Sequence, residues 1–349
     1  MSEKIAIVIT SIASPSNQVL REIAQESQRR NHQFIVIGDV PSPHEFQLEG
    51  CDFYSLERQL QLDLQFPKIC PKRHYARKNI GYLIAIRDGA SLILETDDDN
   101  IPYDSFWKYR DRQQSVPTLS GLGWVNAYGY FTGSNIWPRG FPLQALTSSL
   151  GPTWDQIKIR DVDSPIQQGL ADENPDVDAI YRLTLPLPQV FRSDRRIALS
   201  TNAWCPFNSQ NTAWWQDAYP LLYLPAYCSF RMTDIWRSFV AQRIAWLNGW
   251  SILFHEPTVW QERNQHNLIK DFEDEIPGYL HNYEICEALE SLCLRTGVDK
   301  LGENLRICYE KLVSLSLVDV RELELVETWL NDLQMLSHGV REHTVASQR

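Results

Sequence analysis

The stretch Ile93-Leu94-Glu95-Thr96-Asp97-Asp98-Asp99-Asn100-Ile101-Pro102 constrains this chain more than any other. A short apolar run, Ser91-Leu92-Ile93-Leu94, leads into three consecutive aspartates, and the run reads as a strand. Pro102 has no N–H to give a sheet ladder, so the strand is expected to stop by that point. Three adjacent carboxylates repel one another, and ionising all of them beside a buried strand is costly unless a cation or many donors compensate. A hard divalent ion with oxygen ligands is the simplest compensation, and such ions keep open positions for phosphate oxygens. The alternative is a solvated acidic turn after an edge strand.

What precedes the triplet decides how it is read. Ile5 to Thr10 is an apolar run, Ser14-Pro15-Ser16-Asn17 supplies helix-start chemistry for an amphipathic segment from Gln18 to about Arg30, and Gln33 to Ile37 is a second strand ending at Gly38-Asp39. This is a βαβ opening, in which ligands bind beyond the carboxyl ends of the strands. Thr10, Ser11 and Asp39 are thus placed for a nucleotide, with Asp39 suited to an imide N–H or a ribose hydroxyl; as a turn residue after a strand it would do neither. Cys51 to Tyr54 reads as a short strand followed by a polar helix. The apolar positions Ala76, Ile80, Leu83, Ile84 and Ala85 then form one face of a helix to Arg87, with Arg73, Arg77 and Lys78 crowding its start. Basic side chains at a helix start, just before a strand ending in three aspartates, read as a pyrophosphate grip or as a solvated helix face.

Composition sets the partner class. The chain has 349 residues, 43% of them hydrophobic, enough for one large domain with an appendage or for two domains. With 44 acidic against 33 basic residues the formal charge is -11, which argues against nucleic acid as a partner. No segment approaches the ~18 apolar residues of a membrane helix, and the seven scattered cysteines without a CxxC spacing look like reduced core residues of a cytoplasmic protein. The 12 tryptophans exceed what packing needs, so some are expected to line a pocket where flat ligands stack.

Beyond the triplet, Tyr103 to about Gln113 reads as a helix. Arg139 sits between Pro138 and Gly140 on a backbone too irregular for a helix face, so it points into a site or pairs with a carboxylate. The acidic segment from residue 161 to 185 reads as a mixture of sugar or metal contacts and a solvated insertion, with Asp176 to Leu183 leading toward a strand. Asn208-Ser209-Gln210-Asn211 is suited to hydrogen-bonding hydroxyls. Asp234, in the first turn of a helix from about Met232 to Leu247, is a helix-start carboxylate or, placed in a cleft, a base. Ile252-Leu253-Phe254 reads as the last strand, and beyond about Pro277 the periodicity turns helical. The expected division is an α/β domain over residues 1–277 and a helical C-terminal appendage over 278–340.

Taken together, Arg77-Lys78-Asn79-Ile80-Gly81-Tyr82, Thr96-Asp97-Asp98-Asp99-Asn100, Trp137-Pro138-Arg139-Gly140-Phe141-Pro142-Leu143, Asp176-Val177-Asp178-Ala179-Ile180-Tyr181-Arg182-Leu183 and Thr233-Asp234-Ile235-Trp236 resemble the STELLO-type glycosyltransferase-like proteins. More distantly they resemble the reversibly glycosylated polypeptides that act as UDP-arabinopyranose mutases. The resemblance covers about residues 1 to 280; the sequence is read as departing from the STELLO proteins in lacking their membrane anchor, and no counterpart is proposed for its helical C-terminus. It implies a GT-A fold, a Rossmann-like domain that binds a nucleoside diphosphate sugar, UDP-linked in this reading, through manganese or magnesium. It also implies that Asp97, Asp98 and Asp99 are the DxD-type carboxylates, the first facing the ribose, with Asp97 and Asp99 on the metal and His266 either a third ligand or a surface histidine. Arg73 or Lys78 would help stabilise the departing pyrophosphate, and Asp234 would serve as base toward a glycan or other hydroxyl acceptor. Arg139 matches the arginine that becomes glycosylated in the mutase-like relatives, which gives a second expectation, a sugar-nucleotide mutase or self-glycosylating protein. A third is a non-catalytic partner protein that retains the fold.

Overall fold

The apolar runs at the start of the chain become Ile5–Thr10 (β1) and Gln33–Ile37 (β2), parallel to each other and joined by the helix Gln18–Arg30 (α1). Asn17 caps α1 by accepting from the Leu20 amide at 2.9 Å, as the start signal predicts. The computed structural model describes residues 3–148, 151–262 and 267–346, with side chains through 337. Along the chain follow Asp52–Tyr54 (β3), the short helices Leu56–Leu60 (α2) and Phe66–Ile69 (α3), then Lys78–Arg87 (α4) and Leu92–Thr96 (β4). The next strands are Asn100–Pro102 (β5), Gln113–Leu119 (β6), Gly123–Trp124 (β7) and Ile159–Asp172 (β8). Ala179–Thr184 (α5), Arg196–Leu199 (β9), Ala203–Trp204 (β10), Asn211–Trp215 (β11), Thr233–Leu247 (α6) and Trp250–Gln261 (β12) complete the sheet region. The helices Leu268–Glu290 (α7), Leu301–Ser314 (α8) and Glu322–Ala346 (α9) follow.

Among the described residues, ten strands form one sheet in the order β3-β2-β1-β4-β11-β8-β6-β9-β12-β5, and β7 pairs with β10 apart from it. The chain is therefore α/β, with a parallel half, β3-β2-β1-β4, fused to a mixed half. β8 spans both sides of that half, pairing with β6 along its first residues and in parallel with β12 along the rest. From β1 the chain moves outward to β2 and β3, then returns to the other flank of β1 as β4. The carboxyl ends of β1 and β4 thus diverge at a topological switch point, where such sheets leave a crevice.

Alternation along the strands explains the two layers. Ile7, Ile9, Phe34 and Val36 pack with Val19, Leu20 and Ile23 of α1, whereas Ala6, Val8, Ile35 and Ile37 face α4. Gly81 lets α4 approach that face, since a Cβ there would lie 2.5 Å from Val8 Cγ1 and 3.0 Å from Ile37 Cγ1. Behind the triplet, the buried Glu95 of β4 is held by both guanidinium nitrogens of Arg237 in α6 at 2.8 and 2.9 Å, by the Trp214 indole at 2.8 Å and by the Tyr82 hydroxyl.

Several expectations are corrected. Tyr103 to Gln113 is not a helix: the Tyr103 amide is pinned to the Thr258 carbonyl at 2.8 Å and Phe106 turns into the α1-side core, which leaves only a 3₁₀ turn, Asp104–Trp107, before β6. β4 does stop before Pro102, at Thr96, but the proline itself lies in β5 at the end of the sheet order, where its missing N–H is tolerated. The first part of the acidic segment is sheet, with Asp161, Asp163 and Asp172 on β8. Asp176 to Leu183 leads into α5 instead of a strand, because Asp178 caps it by accepting from the Tyr181 amide at 2.8 Å. The last strand runs from Trp250 to Gln261, well beyond Phe254. Pro277 falls inside α7, so the expected division between residues 277 and 278 cuts a continuous helix. Leu305, Leu312, Val326 and Trp329 of α8 and α9 belong to the same core as α4 and α6.

Candidate functional site

Beyond the carboxyl ends of β1, β2 and β4 lies a cavity of about 590 Å³, within the span of roughly 300 to 1,000 Å³ usual for small-molecule sites. Of the residues singled out from the sequence, Thr10, Ser11, Asp39, Arg73, Arg77, Asp97, Asp98, Asp99, Arg139 and Asp234 line it. Lys78 is fully buried behind the wall, and His266 lies outside the described residues. The tryptophans do not face the cavity; Trp204, Trp214, Trp236 and Trp329 fill the core, and the aromatic lining is His74, Tyr75 and Phe230.

Each aspartate of the triplet has its own environment. Asp97 Oδ1 accepts from Lys78 Nζ at 3.1 Å and lies 3.0 Å from the Tyr75 hydroxyl oxygen. Burial pushes its carboxyl up to about 6, Lys78 offsets part of that, and neighbouring Asp99 adds to it. Asp98 accepts from the Ser11 hydroxyl across the β1/β4 crevice, its backbone carbonyl accepts from Asn17 Nδ2 at 3.1 Å, and burial raises its carboxyl also. Asp99 Oδ1 accepts from Gln261 Nε2 at 3.1 Å, which ties the triplet to the end of β12.

The basic cluster at the α4 start does not act as one grip. Lys78 Nζ is spent on internal oxygens, the Thr96 carbonyl at 2.8 Å and the Ser209 carbonyl at 3.2 Å besides Asp97 and Tyr75. Arg77 is buried, with Nη1 donating to the Cys70 carbonyl at 2.9 Å and Nε to Gln59 Oε1 at 3.0 Å. A 3₁₀ turn, Tyr75–Arg77, precedes α4 and turns both side chains inward. Arg73 is the exposed member; its positive φ of 56° is a backbone conformation uncommon for a non-glycine residue and concentrated at functional sites. Asp39 positions the neighbouring loop, accepting from the His74 amide at 3.0 Å and from the Val40 amide at 2.7 Å.

The far wall is a second charged group. Arg139 is buried and pairs with Asp176 at 2.7 Å and with Asp234 at 2.9 Å, while Nη1 donates to the Arg231 carbonyl. Burial would lower its pKa, but the two carboxylates outweigh burial and hold it well above the ordinary arginine value. In Asp176 burial is likewise outweighed by Arg139, which brings the carboxyl down to about 2. Gly140 follows at φ 85°, where a Cβ would sit 2.3 Å from Ile235 Cγ2, so the backbone carrying Arg139 lies tight against α6.

Tyr75, Ser209, Phe230, Arg231 and the Glu95–Arg237 pair were not singled out from the sequence as site residues. For Glu95 a signal existed, because one carboxylate inside an apolar strand demands a cationic partner. Ser209 lay in the amide-rich stretch read as suited to hydroxyls. Among the described residues, no three His, Cys, Asp or Glu side chains are grouped as a ready-made metal cage. The triplet instead offers oxygen-only donors, two of them raised by burial, which suits a hard cation held by one or two carboxylates and completed by phosphate oxygens. No helix among the described residues is long and apolar enough to cross a membrane.

The sequence profile of the STELLO glycosyltransferases matches residues 231–344, which includes the C-terminal helices left without a proposed counterpart. The chain is 27% identical over 332 residues to "Probable glycosyltransferase STELLO2" of Arabidopsis thaliana, covering 88% of this chain and 42% of that protein. "Probable glycosyltransferase STELLO1" of the same plant is 27% identical over 270 residues, 72% of this chain and 34% of its own length. The chain thus spans less than half the length of the curated relatives it matches. Among solved structures, the mannosyltransferase PcManGT from Pyrobaculum calidifontis, in complex with GDP-Man and Mn2+, is similar at a TM-score of 0.38 and 8% identity, over 95% of this chain and 84% of that one. That superposition is too loose to build on.

Proposed function

We propose that this chain, STELLO-type in sequence, is a metal-dependent glycosyltransferase of GT-A type that takes a UDP-sugar donor and transfers the sugar to a hydroxyl acceptor. The observation that carries the reading is the meeting, in one cavity at the β1/β4 switch point, of three aspartates, an exposed arginine and a separate carboxylate pair. Thr10, Ser11 and Asp39 border the nucleoside half, and Arg73 faces the diphosphate. Asp97 and Asp99 both line the cavity, Asp97 Oδ1 is tied to Lys78, and Asp99 lies close enough to raise the Asp97 pKa, so these two would hold manganese or magnesium. When bound, such an ion neutralises charge on a departing diphosphate.

The chain's own residues do the rest. Breaking the bond between the anomeric carbon and the phosphate oxygen leaves growing negative charge on the diphosphate, and the Arg73 guanidinium stabilises it. Asp234, oriented by Arg139 and the Ser209 amide, accepts the hydrogen bond of the incoming hydroxyl. Arg139 is read as the residue that positions Asp234. A guanidinium held protonated by two carboxylates has no lone pair with which to take the sugar itself. The C-terminal helices are read as an extension packed on the transferase domain.

Release of UDP or GDP from a panel of UDP- and GDP-sugars with manganese tests the reading. Expected are turnover with a UDP-sugar, a loss of about 100-fold or more in Asp99→Ala, and a donor KM raised about tenfold in Arg73→Ala. Undiminished turnover in Asp99→Ala would overturn the assignment.

A further inference from the structure

Between the triplet and the far wall stand two hydroxyls, Tyr75 and Ser209, and their protons do not suffice for the contacts they make. The Tyr75 oxygen lies 3.0 Å from Asp97 Oδ1 and 2.6 Å from the Ser209 oxygen, which in turn lies 3.2 Å from Asp234 Oδ2. Lys78 Nζ lies 2.8 Å from the Tyr75 oxygen and within 3.2 Å of Thr96, Asp97 and Ser209 oxygens; its three protons serve these four acceptors, and Tyr75 can only accept from it, so Lys78 gives no proton to the Tyr75–Ser209 contact. Three contacts therefore share two hydroxyl protons. The 2.6 Å contact cannot go without one, because two bare oxygens at that distance repel.

Only two arrangements remain. In one, Ser209 donates to Tyr75 and Tyr75 donates to Asp97, leaving Asp234 with the Ser209 amide and Arg139. In the other, Tyr75 donates to Ser209 and Ser209 donates to Asp234, leaving Asp97 with Lys78. We propose that Tyr75 and Ser209 are positioning residues forming a two-state hydroxyl relay, which serves either the donor-side carboxylate or the acceptor-side carboxylate, so that occupancy of one half of the cavity sets the hydrogen bonding of the other. A cation against Asp97 removes that carboxylate's need for the Tyr75 proton, and the relay turns toward Asp234. No proton is gained or lost; two O–H bonds rotate.

The inference rests on the reading of the cavity as donor and acceptor halves, and the test has one arm that does not. At pH 8, melting temperatures are measured for Asp97→Asn, Asp234→Asn and the double variant, in the parent, in Tyr75→Phe and in Ser209→Ala. Asp97 and Asp234 repel in every background, but the relay adds a coupling of its own. The expected result is a non-additivity in the parent that differs by about 1 to 2 °C from that in both relay variants. Equal non-additivity in all three backgrounds would overturn the relay. Ser209→Ala decides the matter if Tyr75→Phe does not fold. In the second arm, UDP affinity with manganese is expected to change about fivefold on Asp234→Asn in the parent and not in Tyr75→Phe. Nucleotide binding that ignores Asp234→Asn in the parent would overturn the coupling between halves. Absence of any nucleotide binding alongside a positive first arm would sink the transferase reading and leave the relay standing.

Discussion

Arg139 is the residue on which the far wall depends. Its guanidinium is shared between Asp176 and Asp234, and all three side chains are largely removed from solvent. Removing one partner from a buried ionic group leaves uncompensated charge and costs about 3 to 5 kcal/mol. Arg139→Ala is therefore expected to lower the stability measured by urea unfolding by that amount, and a variant within about 1 kcal/mol of the parent would contradict the pairing. An arginine between Pro138 and Gly140 told from the sequence that it would pair or point into a site, and it does both. Lys78 was not legible in the same way. A run of basic residues at a helix start does not say which way each points, and the 3₁₀ turn that swings Lys78 toward Thr96 is a consequence of tertiary packing.

Among the elements, β1, β2, α1 and α4 were legible because their apolar runs, and for α1 the Asn17 cap, agree with the layers they build. β8 was not, since its polar residues hid a buried strand. Gln167 and Gln168 satisfy their amides on the carbonyls of Asp111 at 2.8 Å and Asn211 at 3.1 Å, a pairing invisible before the sheet is assembled. His255 on β12 gives this level its test. Burial, with Arg110 adding, lowers its pKa to about 4, while in the unfolded chain it titrates near 6.5. The folded state keeps it neutral, so its contribution to stability is full above about pH 6.5 and is lost as the pH falls toward 4. His255→Asn, which cannot take up a proton, is expected to lose about 2 kcal/mol less than the parent between pH 7 and pH 5, read from urea midpoints at the two pH values. Equal losses would show that His255 is not held neutral.

For the whole molecule, the C-terminal helices share their interior with the sheet. Trp329 of α9 packs edge-on against Phe66 at 6.1 Å and lies 6.0 Å from Tyr223. Asp332 accepts from the amides of Gln65 and Phe66 at 3.0 and 2.8 Å, and Glu322 accepts from those of Ala226 and Tyr227. Helical periodicity after residue 277 revealed the helices, but it carries no information about which neighbours they join. Trp329→Ala is expected to cost about 3 to 5 kcal/mol and to lower one cooperative transition. Two transitions, one of them unchanged, would mark the helices as an independent unit. The switch-point cavity is read as taking a UDP-sugar through a divalent cation. The most direct test of that reading is a thermal-shift titration with UDP, GDP, CDP and ADP, each with and without manganese. At about 100 times its dissociation constant a ligand adds about 2.7 kcal/mol, a rise of roughly 4 °C for a chain of this length. The account predicts that rise with UDP, dependent on manganese and lost in Asp99→Ala; no shift with any nucleotide, or one indifferent to both the ion and Asp99, would contradict it.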